Sequence, residues 1–437
     1  GSKKTAELLK SYTNLIENSV KFISEQDSLN ASILGLDAKL GSPEFDLFIK
    51  EALSEITTKA GQKCTAMRRL IVPSHSFRDV SEALKENLSN IEIGDPHDTE
   101  TEMGSLVSES QKREILDITE KMSAENELIF RREVPNEGAF FSPHLYHCET
   151  ALEGGIVHDI EAFGPVATIM TYEGQEEASK LVKLGGGSLV SSIFTADSQF
   201  ATEIVTDVAA WNGRIYINNR DSCDEATGHG SPLPHLTHGG PGRAGGGEEQ
   251  GGIRGVKHYM QRTSIQGSPE ILSKIRNQWV PGAKTYIKKP HPFSQSFNEL
   301  SIGETLWTNY RTISLDDIEH FANFTGDTFY AHMNEEAAKA NPFFPGRVAH
   351  GYLLLSFAAG LFVLADEGPV LANTGIEHLS FQKPVAPDDK IKVRLTVGRK
   401  TKRTDTYGEV KWDVVIFNQN DEQVAEYGLL TMVKYEH

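Results

Sequence analysis

The sequence predicts two domains of different fold class: an α/β domain over residues 1–280, a linker over 281–292, and an α+β domain over 293–437. Three observations support this prediction. Helical and short strand patterns alternate in the first part, which is typical of α/β domains. The linker segment is basic and marked by prolines. After it, one long apolar helix pattern precedes residues that alternate with a period of two, as in half-buried antiparallel strands.

The charge and the cysteine count narrow the classes of partner and compartment. The chain has 437 residues, with 43 basic and 61 acidic side chains and a formal net charge of −18. So acidic a chain is expected to bind neither nucleic acid nor an anionic membrane over a broad surface. Cys64, Cys148 and Cys223 are few and widely spaced, which favours a reducing compartment. We find no targeting segment, and this predicts a cytoplasmic protein.

The elements of the first domain begin with a polar, helical N-terminal segment. Ser42 and Pro43 then begin a helix, with Ser42 as N-cap. Gly61 is predicted to end this helix, and a short strand follows that stops at Pro73. A further helix starts at Phe77, and the glycine-rich segment 228–255 is predicted to be loop. The apolar face of the first of these helices consists of Phe45, Phe48, Ile49, Ala52, Leu53 and Ile56.

In the second domain, Ser314 and Asp317 form a capping-box pattern before a helix that Gly326 ends. Residues 352–365 are apolar on all sides but fall short of the ~20 residues of a membrane-spanning helix. They therefore predict a buried core helix. Alternating residues then predict strands over residues 391–397, 410–416 and 425–429.

Cys64 and Glu25 form the first candidate site. A cysteine in a turn between a helix and a strand can be exposed, and Lys59, Lys63, Arg68 and Arg69 would favour its thiolate. A thiolate can attack an aldehyde, and hydride loss to a nicotinamide then leaves a thioester that a base and water hydrolyse. Glu25 is the candidate base. The alternative is a half-buried free cysteine and a surface glutamate.

Three motifs resemble the aldehyde dehydrogenase superfamily: GQKC at Cys64, EAFGPV at 161–166, and HGGPGRAGGGEEQGG. The resemblance covers about residues 1–266 and implies that Cys64 is the nucleophile, Glu25 the base, and Glu161 a ligand of the nicotinamide ribose. Superfamily members have a long preceding segment that forms most of the cofactor domain and supplies an oxyanion-hole Asn. Gly1-Ser2 resembles the end of their F-T-G-S motif. We therefore expect an N-terminally truncated domain that dehydrogenates poorly or not at all by itself.

Two further patterns are weaker signals. Residues 240–245 read G-x-G-x-x-G, but they follow a loop and contain a proline, so no dinucleotide site is predicted there. Cys223, His229, His235 and His238 lack any standard zinc spacing, so no metal site is predicted.

Asp327 and His332 form the second candidate site, in the run FANFTGDTFYAHMN. In a tight loop, this pair can deprotonate one water and return a proton to carbon, as addition of water to a conjugated double bond requires. Backbone N–H groups at Gly351, where the apolar helix begins, can hold a thioester oxygen as it gains enolate charge. The alternative is a loop aspartate that caps a helix and a partly buried histidine.

This part resembles the MaoC-like, or type 2 enoyl-CoA hydratase, family, whose members have a hot-dog fold. The family motif G-D-x-N-P-x-H reads GDTFYAH here, with Phe329 and Tyr330 in place of Asn and Pro. The larger pair could shape a pocket for a bulky acyl group. The resemblance covers about residues 292–435 and implies that Asp327 and His332 are catalytic and that the Gly351 amide stabilises the oxyanion.

Together, the halves resemble the fused ring-opening enzymes of bacterial phenylacetate degradation, through GDTFYAHM, HGYLLLSFAAGLFV, GPGRAGGGEE and VKHYMQRT. This implies oxepin-CoA hydrolysis by the second domain and NADP-dependent oxidation of the resulting CoA-linked semialdehyde by the first. A homo-oligomer is expected, because both families oligomerise. The alternative is an enoyl-CoA hydratase whose dehydrogenase-like half is only a structural platform.

A CoA substrate is an anion and predicts a cationic track. Candidate residues in a loop between two strands are Arg399, Lys400, Lys402 and Arg403, with Lys288 and Lys289 in the linker. The alternative is a solvated basic loop.

Overall fold

The computed structural model describes residues 1–135, 137–233, 236, 238–247 and 252–435. The chain divides into two compact units, Gly1–Gln261 and Arg262–His437. Each unit has hydrophobic core residues of its own. Among the described residues, no helix combines the length and the apolar character needed to cross a bilayer.

Unit 1 is an α/β domain built on a seven-stranded sheet, as the sequence predicted. The strands run in the order β3-β4-β5-β2-β1-β6-β7; β3 is antiparallel to β4, and the other neighbours are parallel. The strands are β1 (Ala31–Leu34), β2 (Arg69–Pro73), β3 (Glu127–Phe130), β4 (His144–Cys148), β5 (Val166–Tyr172), β6 (Ser188–Phe194) and β7 (Asn212–Asn218). The helices are α1 (Lys3–Lys10), α2 (Thr13–Glu17), α3 (Pro43–Thr57), α4 (Phe77–Asn90), α5 (Glu109–Glu125), α6 (Ile156–Asp159), α7 (Gln175–Leu184), α8 (Ser198–Val208) and α9 (Gly252–Tyr259).

The sheet order explains how distant motifs meet in unit 1. Strands β5, β2 and β1 are adjacent and parallel, so their N-terminal ends lie at one edge of the sheet. Glu25 precedes β1, Cys64 precedes β2 and Glu161 precedes β5, each by only a few residues. The three side chains are therefore delivered to the same edge.

Helix α3 begins where the sequence predicted, but it ends earlier than predicted. The Ser42 hydroxyl accepts a hydrogen bond from the Phe45 amide (3.3 Å), and Pro43 is the first helical residue. The helix ends at Thr57, before the predicted stop at Gly61, because Lys59, Ala60 and Gly61 form a tight turn with left-handed backbone angles.

Unit 2 is an α+β domain in which a helix packs on an antiparallel sheet, which confirms the predicted hot-dog class. The order is β10-β13-β12-β11-β8, and β9 pairs with β11. The strands are β8 (Thr305–Trp307), β9 (Arg311–Thr312), β10 (Val370–Phe381), β11 (Lys390–Lys402), β12 (Tyr407–Phe417) and β13 (Gln423–Lys434). The helices are α10 (Pro269–Arg276), α11 (Leu315–Thr325), α12 (Tyr330–Met333), α13 (Glu335–Ala340) and α14 (Gly351–Phe362).

The apolar helix α14 is only half covered, which corrects the expectation of a fully buried helix. Leu353, Leu354, Ala358 and Phe362 are buried, whereas Tyr352 is 69% exposed. The sheet of unit 2 packs against one side of the helix, so residues on the other side remain accessible.

The boundary between the units also differs from the predicted domain boundary at residue 280. Residues 262–280 belong to unit 2. The Trp279 amide donates to the carbonyl of Gly398 (2.7 Å), and the Arg394 guanidinium lies over the Trp279 ring. The proline-marked segment that follows therefore lies within a folded unit and does not separate two domains.

Candidate active sites

Cys64 stands at the end of a sharply wound turn. Lys59, Ala60 and Gly61 all have positive φ, and a Cβ on Gly61 would come within 2.2 Å of the Gly164 carbonyl oxygen. Only glycine fits this close approach of two backbones. The turn leaves Cys64 exposed on the wall of a pocket.

Asn30, at the entrance to β1, holds this turn in place. Its amide nitrogen donates to the carbonyls of Cys64 (2.9 Å) and Ala66 (3.0 Å). Its oxygen accepts from the Ser28 hydroxyl (2.7 Å) and from the Val190 amide (3.2 Å). All of these groups are engaged, so the buried amide fixes the backbone that carries Cys64.

The pocket has a volume of about 470 Å³ and brings Cys64, Glu25 and Glu161 together on its lining. The structure therefore places the three residues predicted from the first half of the chain around one cavity. Phe163 and Ile118 add apolar surface to the same wall. A cavity of this size suits a small organic substrate.

The protonation of Cys64 differs from the sequence-based expectation of a thiolate. Desolvation in the pocket, followed by the hydrogen bond and charge of Glu25, raises the pKa of Cys64 to about 11. Two of the cations near it in sequence are engaged elsewhere: Lys63 pairs with Glu55 (2.6 Å), and Arg69 donates to backbone carbonyls in the interior. The resting residue is a thiol that faces a carboxylate.

The side chain of Glu161 is only 6% exposed, and both its oxygens are engaged. One accepts from Arg68 Nε (3.1 Å) and the other from the Ser28 amide (3.1 Å). Burial raises the pKa of Glu161, and Arg68 opposes that rise. Arg68 also donates to the carbonyls of Gly61 and Gly164, so this ion pair links the nucleophile turn to the EAFGPV motif.

The histidine and glycine patterns that carried no site prediction have structural roles. His229 is fully buried; its Nε2 donates to the Thr65 carbonyl (2.9 Å), and its Nδ1 lies 2.9 Å from Ser192 Oγ. Both ring nitrogens are thus engaged beside the nucleophile turn. His235 lies outside the described residues.

In the segment 240–245, Arg243 donates to backbone carbonyls of His158 and Asp159 and to the Asp27 carboxylate, which connects loops at the pocket.

In unit 2, Asp327 and His332 lie close together, where α11 ends. Gly326 closes the helix with a left-handed backbone (φ 80°), and Asp327 follows it, exposed. His332 lies on α12, and its Nδ1 donates to the Val348 carbonyl (2.7 Å). This bond leaves the lone pair of the neutral ring on Nε2. Burial is the main cause that lowers the pKa of His332, which keeps the ring available as a base.

His350 lies beside this pair, although no role was predicted for it from the sequence. Its ring stacks on that of His332, with centroids 3.7 Å apart, and its Nε2 donates to the backbone carbonyl of Asp327 (2.9 Å). Nitrogen and carboxylate atoms of Asp327, His332 and His350 lie within 4.8 Å of one another.

Gly351 is the first residue of α14, directly after His350. The N–H groups of a first helical turn have no partner within the helix and carry the positive end of its dipole. A Cβ on Gly351 would lie 2.6 Å from the Phe381 ring, so the helix start is tightly packed. This arrangement places free amide donors beside the histidine pair.

The positive charges of the four residues predicted to bind CoA are largely paired with neighbouring carboxylates and a carbonyl. Arg403 makes two 2.9 Å bonds to Glu409, and Arg399 lies 3.6 Å from both Glu377 and Glu409. Lys402 lies near Asp405, and Lys400 donates to the Leu300 carbonyl. The carboxylates compete for the charge that a pyrophosphate would need, so the structure gives this prediction no support.

Sequence reasoning missed three residues that organise these sites: Asn30, His229 and His350. Each acts on a segment far away in sequence, through contacts that only the folded chain creates. His350 had one local signal, its position directly before the glycine that begins an apolar helix.

Two family profiles match this chain, one in each unit. Residues 1–265 match the profile of the aldehyde dehydrogenase family, and residues 297–416 match that of the MaoC like domain. The protein MaoC of Klebsiella aerogenes is 50% identical over 302 residues, which cover 68% of this chain and 90% of that protein. The 3,4-dehydroadipyl-CoA semialdehyde dehydrogenase of Aromatoleum evansii is 36% identical over 55% of this chain and 48% of its own length.

Solved structures give the same picture for the first unit. A betaine aldehyde dehydrogenase of Staphylococcus aureus, crystallised with NAD+, superposes with a TM-score of 0.51 at 25% identity. The match covers 59% of this chain and 49% of that enzyme. The chain therefore spans about half the length of these dehydrogenases, and nearly all of the Klebsiella protein.

Proposed function

This chain belongs to the aldehyde dehydrogenase family and carries a MaoC-like domain, and from that premise we propose that it is a bifunctional ring-opening enzyme of phenylacetate catabolism. Unit 2 hydrolyses oxepin-CoA, and unit 1 oxidises the resulting CoA-linked semialdehyde with NADP. The name of the Aromatoleum relative, a semialdehyde dehydrogenase for a CoA-linked substrate, supports this assignment.

The hydratase part of the proposal rests on one observation: Asp327 and His332 lie close together. The bond from His332 Nδ1 to the Val348 carbonyl leaves the lone pair of that ring on Nε2. In oxepin-CoA, the double bond conjugated to the thioester ends at a carbon that also bears the ring oxygen. Asp327 and His332 take a proton from water, and its oxygen bonds to that carbon. The alkene electrons move to the thioester oxygen, which the Gly351 amide receives.

The remaining steps need no oxidant. A proton returns to the α-carbon and completes a hemiketal. The ring C–O bond of the hemiketal then breaks, which leaves a ketone on carbon and an enol at the released oxygen. The enol tautomerises to the aldehyde, so that one water is consumed for each ring opened.

The pocket of unit 1 fits the second reaction. Glu25 can take the proton of the Cys64 thiol as sulfur adds to the aldehyde carbon, and it can later activate the water that hydrolyses the thioester. Bound NADP would accept the hydride in between. Glu161, on the same lining, is the candidate for the nicotinamide ribose, although it would have to share its oxygens with Arg68 and Ser28.

The second candidate function is an enoyl-CoA hydratase whose first unit is a structural platform. The raised pKa of Cys64 favours this alternative, because a protonated thiol is a weak nucleophile. Formation of NADPH from the semialdehyde by the purified chain would exclude the platform, whereas hydratase activity without NADPH would support it.

We further propose a homo-oligomer and a cytoplasmic location. Strand β10 lies at an edge of the sheet, and apolar residues along it are exposed, including Leu371, Ile376 and Phe381. An exposed apolar edge favours pairing with a second copy of the chain. The three free cysteines favour a reducing compartment.

The hydratase assignment is tested by replacement of the proposed base. Asp327→Asn keeps the shape of the side chain but cannot accept the proton of water, so we expect the rate of oxepin-CoA hydrolysis to fall by about 100-fold or more. Asp316→Asn, at an exposed position in α11, is the matched control and should retain the wild-type rate. Full activity of Asp327→Asn in a CoA-thioester hydration assay would show that another group is the base.

A further inference from the structure

His350 touches every part of the unit 2 site, yet it is buried to 1% exposure and cannot reach bulk water. Its Nε2 donates to the Asp327 backbone carbonyl, and its ring covers the His332 ring at 3.7 Å with an interplanar angle of 28°. Along the chain it directly precedes Gly351, the first residue of α14. One side chain thus contacts the proposed base, its partner and the start of the oxyanion helix.

These contacts fix the tautomers of both rings. A carbonyl oxygen can only accept, so His350 Nε2 carries a proton towards Asp327 and His332 Nδ1 carries one towards Val348. His350 Nδ1 is buried and has no hydrogen-bond partner among the described residues. A nitrogen left without a partner in the interior is costly, which indicates that the ring is kept in place for its other contacts.

Asp327 itself has few other contacts that hold it. Residues 323–330 are all exposed. Among the described residues, the other hydrogen bonds of Asp327 are local and long: Asp327 N to Thr325 Oγ1 at 3.3 Å, and Phe329 N to Asp327 Oδ1 at 3.4 Å. The shorter bond from His350 connects this loop to the buried start of α14.

We propose that His350 is a positioning residue for hydration, which rests on the function proposed for unit 2. Its N–H anchors the backbone of Asp327, and its ring limits rotation of His332, so that both groups meet the same water. His350 does not contact substrate in this arrangement. Its loss should therefore reduce kcat and leave KM nearly unchanged.

Substitutions at this position can separate the two contacts. His350→Gln keeps an N–H that can reach the Asp327 carbonyl but loses the ring, and His350→Phe keeps the ring but loses the donor. His350→Ala loses both. We expect kcat for oxepin-CoA hydrolysis to fall about 100-fold in the alanine variant. The glutamine and phenylalanine variants should each recover part of that loss, to about tenfold below wild type.

The matched control is His320→Gln, at an exposed histidine on α11 whose ring faces Phe324. It should retain wild-type kcat and KM. Thermal unfolding of each variant identifies any that do not fold, and the glutamine and phenylalanine variants decide the question if the alanine variant is one of them. Wild-type kcat in the variants, or an effect on KM alone, would overturn the proposal.

A second measurement does not depend on the hydratase assignment. Diethyl pyrocarbonate modifies unprotonated imidazole, and the His332 ring is shielded on one face by His350. Mass spectrometry should find His332 modified faster in His350→Ala than in wild type, with His320 as the internal reference. An unchanged rate would overturn the positioning role even if the chain hydrates no enoyl-CoA. Conversely, loss of activity in Asp327→Asn with full activity in the His350 variants would leave the function standing and remove this inference.

Discussion

Glu25 affects the protonation of Cys64 more directly than the basic residues near it in the sequence. Desolvation and the Glu25 carboxylate hold the pKa of Cys64 at about 11, so the residue is a thiol at neutral pH. The same carboxylate is placed to remove that proton as sulfur attacks. Activation of the nucleophile would therefore occur during the reaction, with the base already in contact.

This arrangement predicts opposite effects of one substitution on two reactions of Cys64. Glu25→Gln removes the charge that opposes the thiolate, so the pKa of Cys64 should fall and its alkylation by iodoacetamide at pH 8 should accelerate. The gain should be about threefold for each unit of lowered pKa, because a less basic thiolate is also a weaker nucleophile. Oxidation of an aldehyde, where the chain supports it, should slow because the base is lost.

The alkylation rate can be read by mass spectrometry of the Cys64 peptide, with Cys148 and Cys223 as references in the same sample. Glu114→Gln provides the control, because Glu114 lies on the lining of the same pocket. It should leave the rate at Cys64 nearly unchanged. Slower alkylation in Glu25→Gln would contradict the electrostatic account.

Single residues show clearly where sequence reasoning stops. Asp327 and His332 could be paired from their spacing, because a short loop keeps them together. The contact of His350 with Asp327 could not be predicted from spacing, because it depends on how α14 packs on the sheet. Likewise, Arg68 lies only four residues after Cys64 in the sequence, yet its guanidinium donates to Glu161 and to two backbone carbonyls.

Helix α14 contains two glycines whose surroundings differ, so that alanine should have different effects at the two positions. A Cβ on Gly351 would lie 2.6 Å from the Phe381 ring, whereas one on Gly360 would meet nothing within 4 Å. Gly351→Ala should therefore push the first turn or the ring aside and displace the amide that we propose receives the thioester oxygen. We expect hydration to slow by about tenfold or more.

Gly360→Ala is the matched control for that experiment. Alanine favours the helix over glycine by about 1 kcal/mol, so this variant should be slightly more stable and equally active. Steady-state hydration rates and thermal unfolding of the two variants supply the comparison. Equal activity of Gly351→Ala and wild type would argue that the helix start does not contact the substrate.

Elements with strong local signals were predicted well. The Ser42 cap of α3 and the capping box of Ser314 and Asp317 both form as expected, because each involves only residues of one helical turn. The alternating residues of β11 and β12 also form strands with one buried face. The exposed face of α14 could not be predicted, because a uniformly apolar helix does not indicate which side the sheet will cover.

For the whole molecule, the sequence predicted both fold classes, and its domain boundary at residue 280 differs from the division of the structure after Gln261. The basic, proline-marked residues after Trp279 suggested a linker, since composition is the only local signal available. In the structure, Trp279 is 6% exposed and its amide bonds to Gly398 on β11. The burial of Trp279 against a strand of unit 2 therefore attaches the preceding residues to that unit.

The position of this boundary predicts which fragments of the chain fold. Residues 262–437 contain α10, Trp279 and the core of unit 2, and they should unfold cooperatively as an isolated fragment. A fragment of residues 281–437 lacks Trp279, its bond to Gly398 and its packing against Arg394. It should be less stable by about 3–5 kcal/mol, the usual loss when a buried aromatic side chain is removed. Urea unfolding of both fragments measures the difference, and Trp279→Ala in the longer fragment should reproduce most of it. Equal midpoints for the two fragments would place the boundary of the unit near residue 280, as the composition of the chain first suggested.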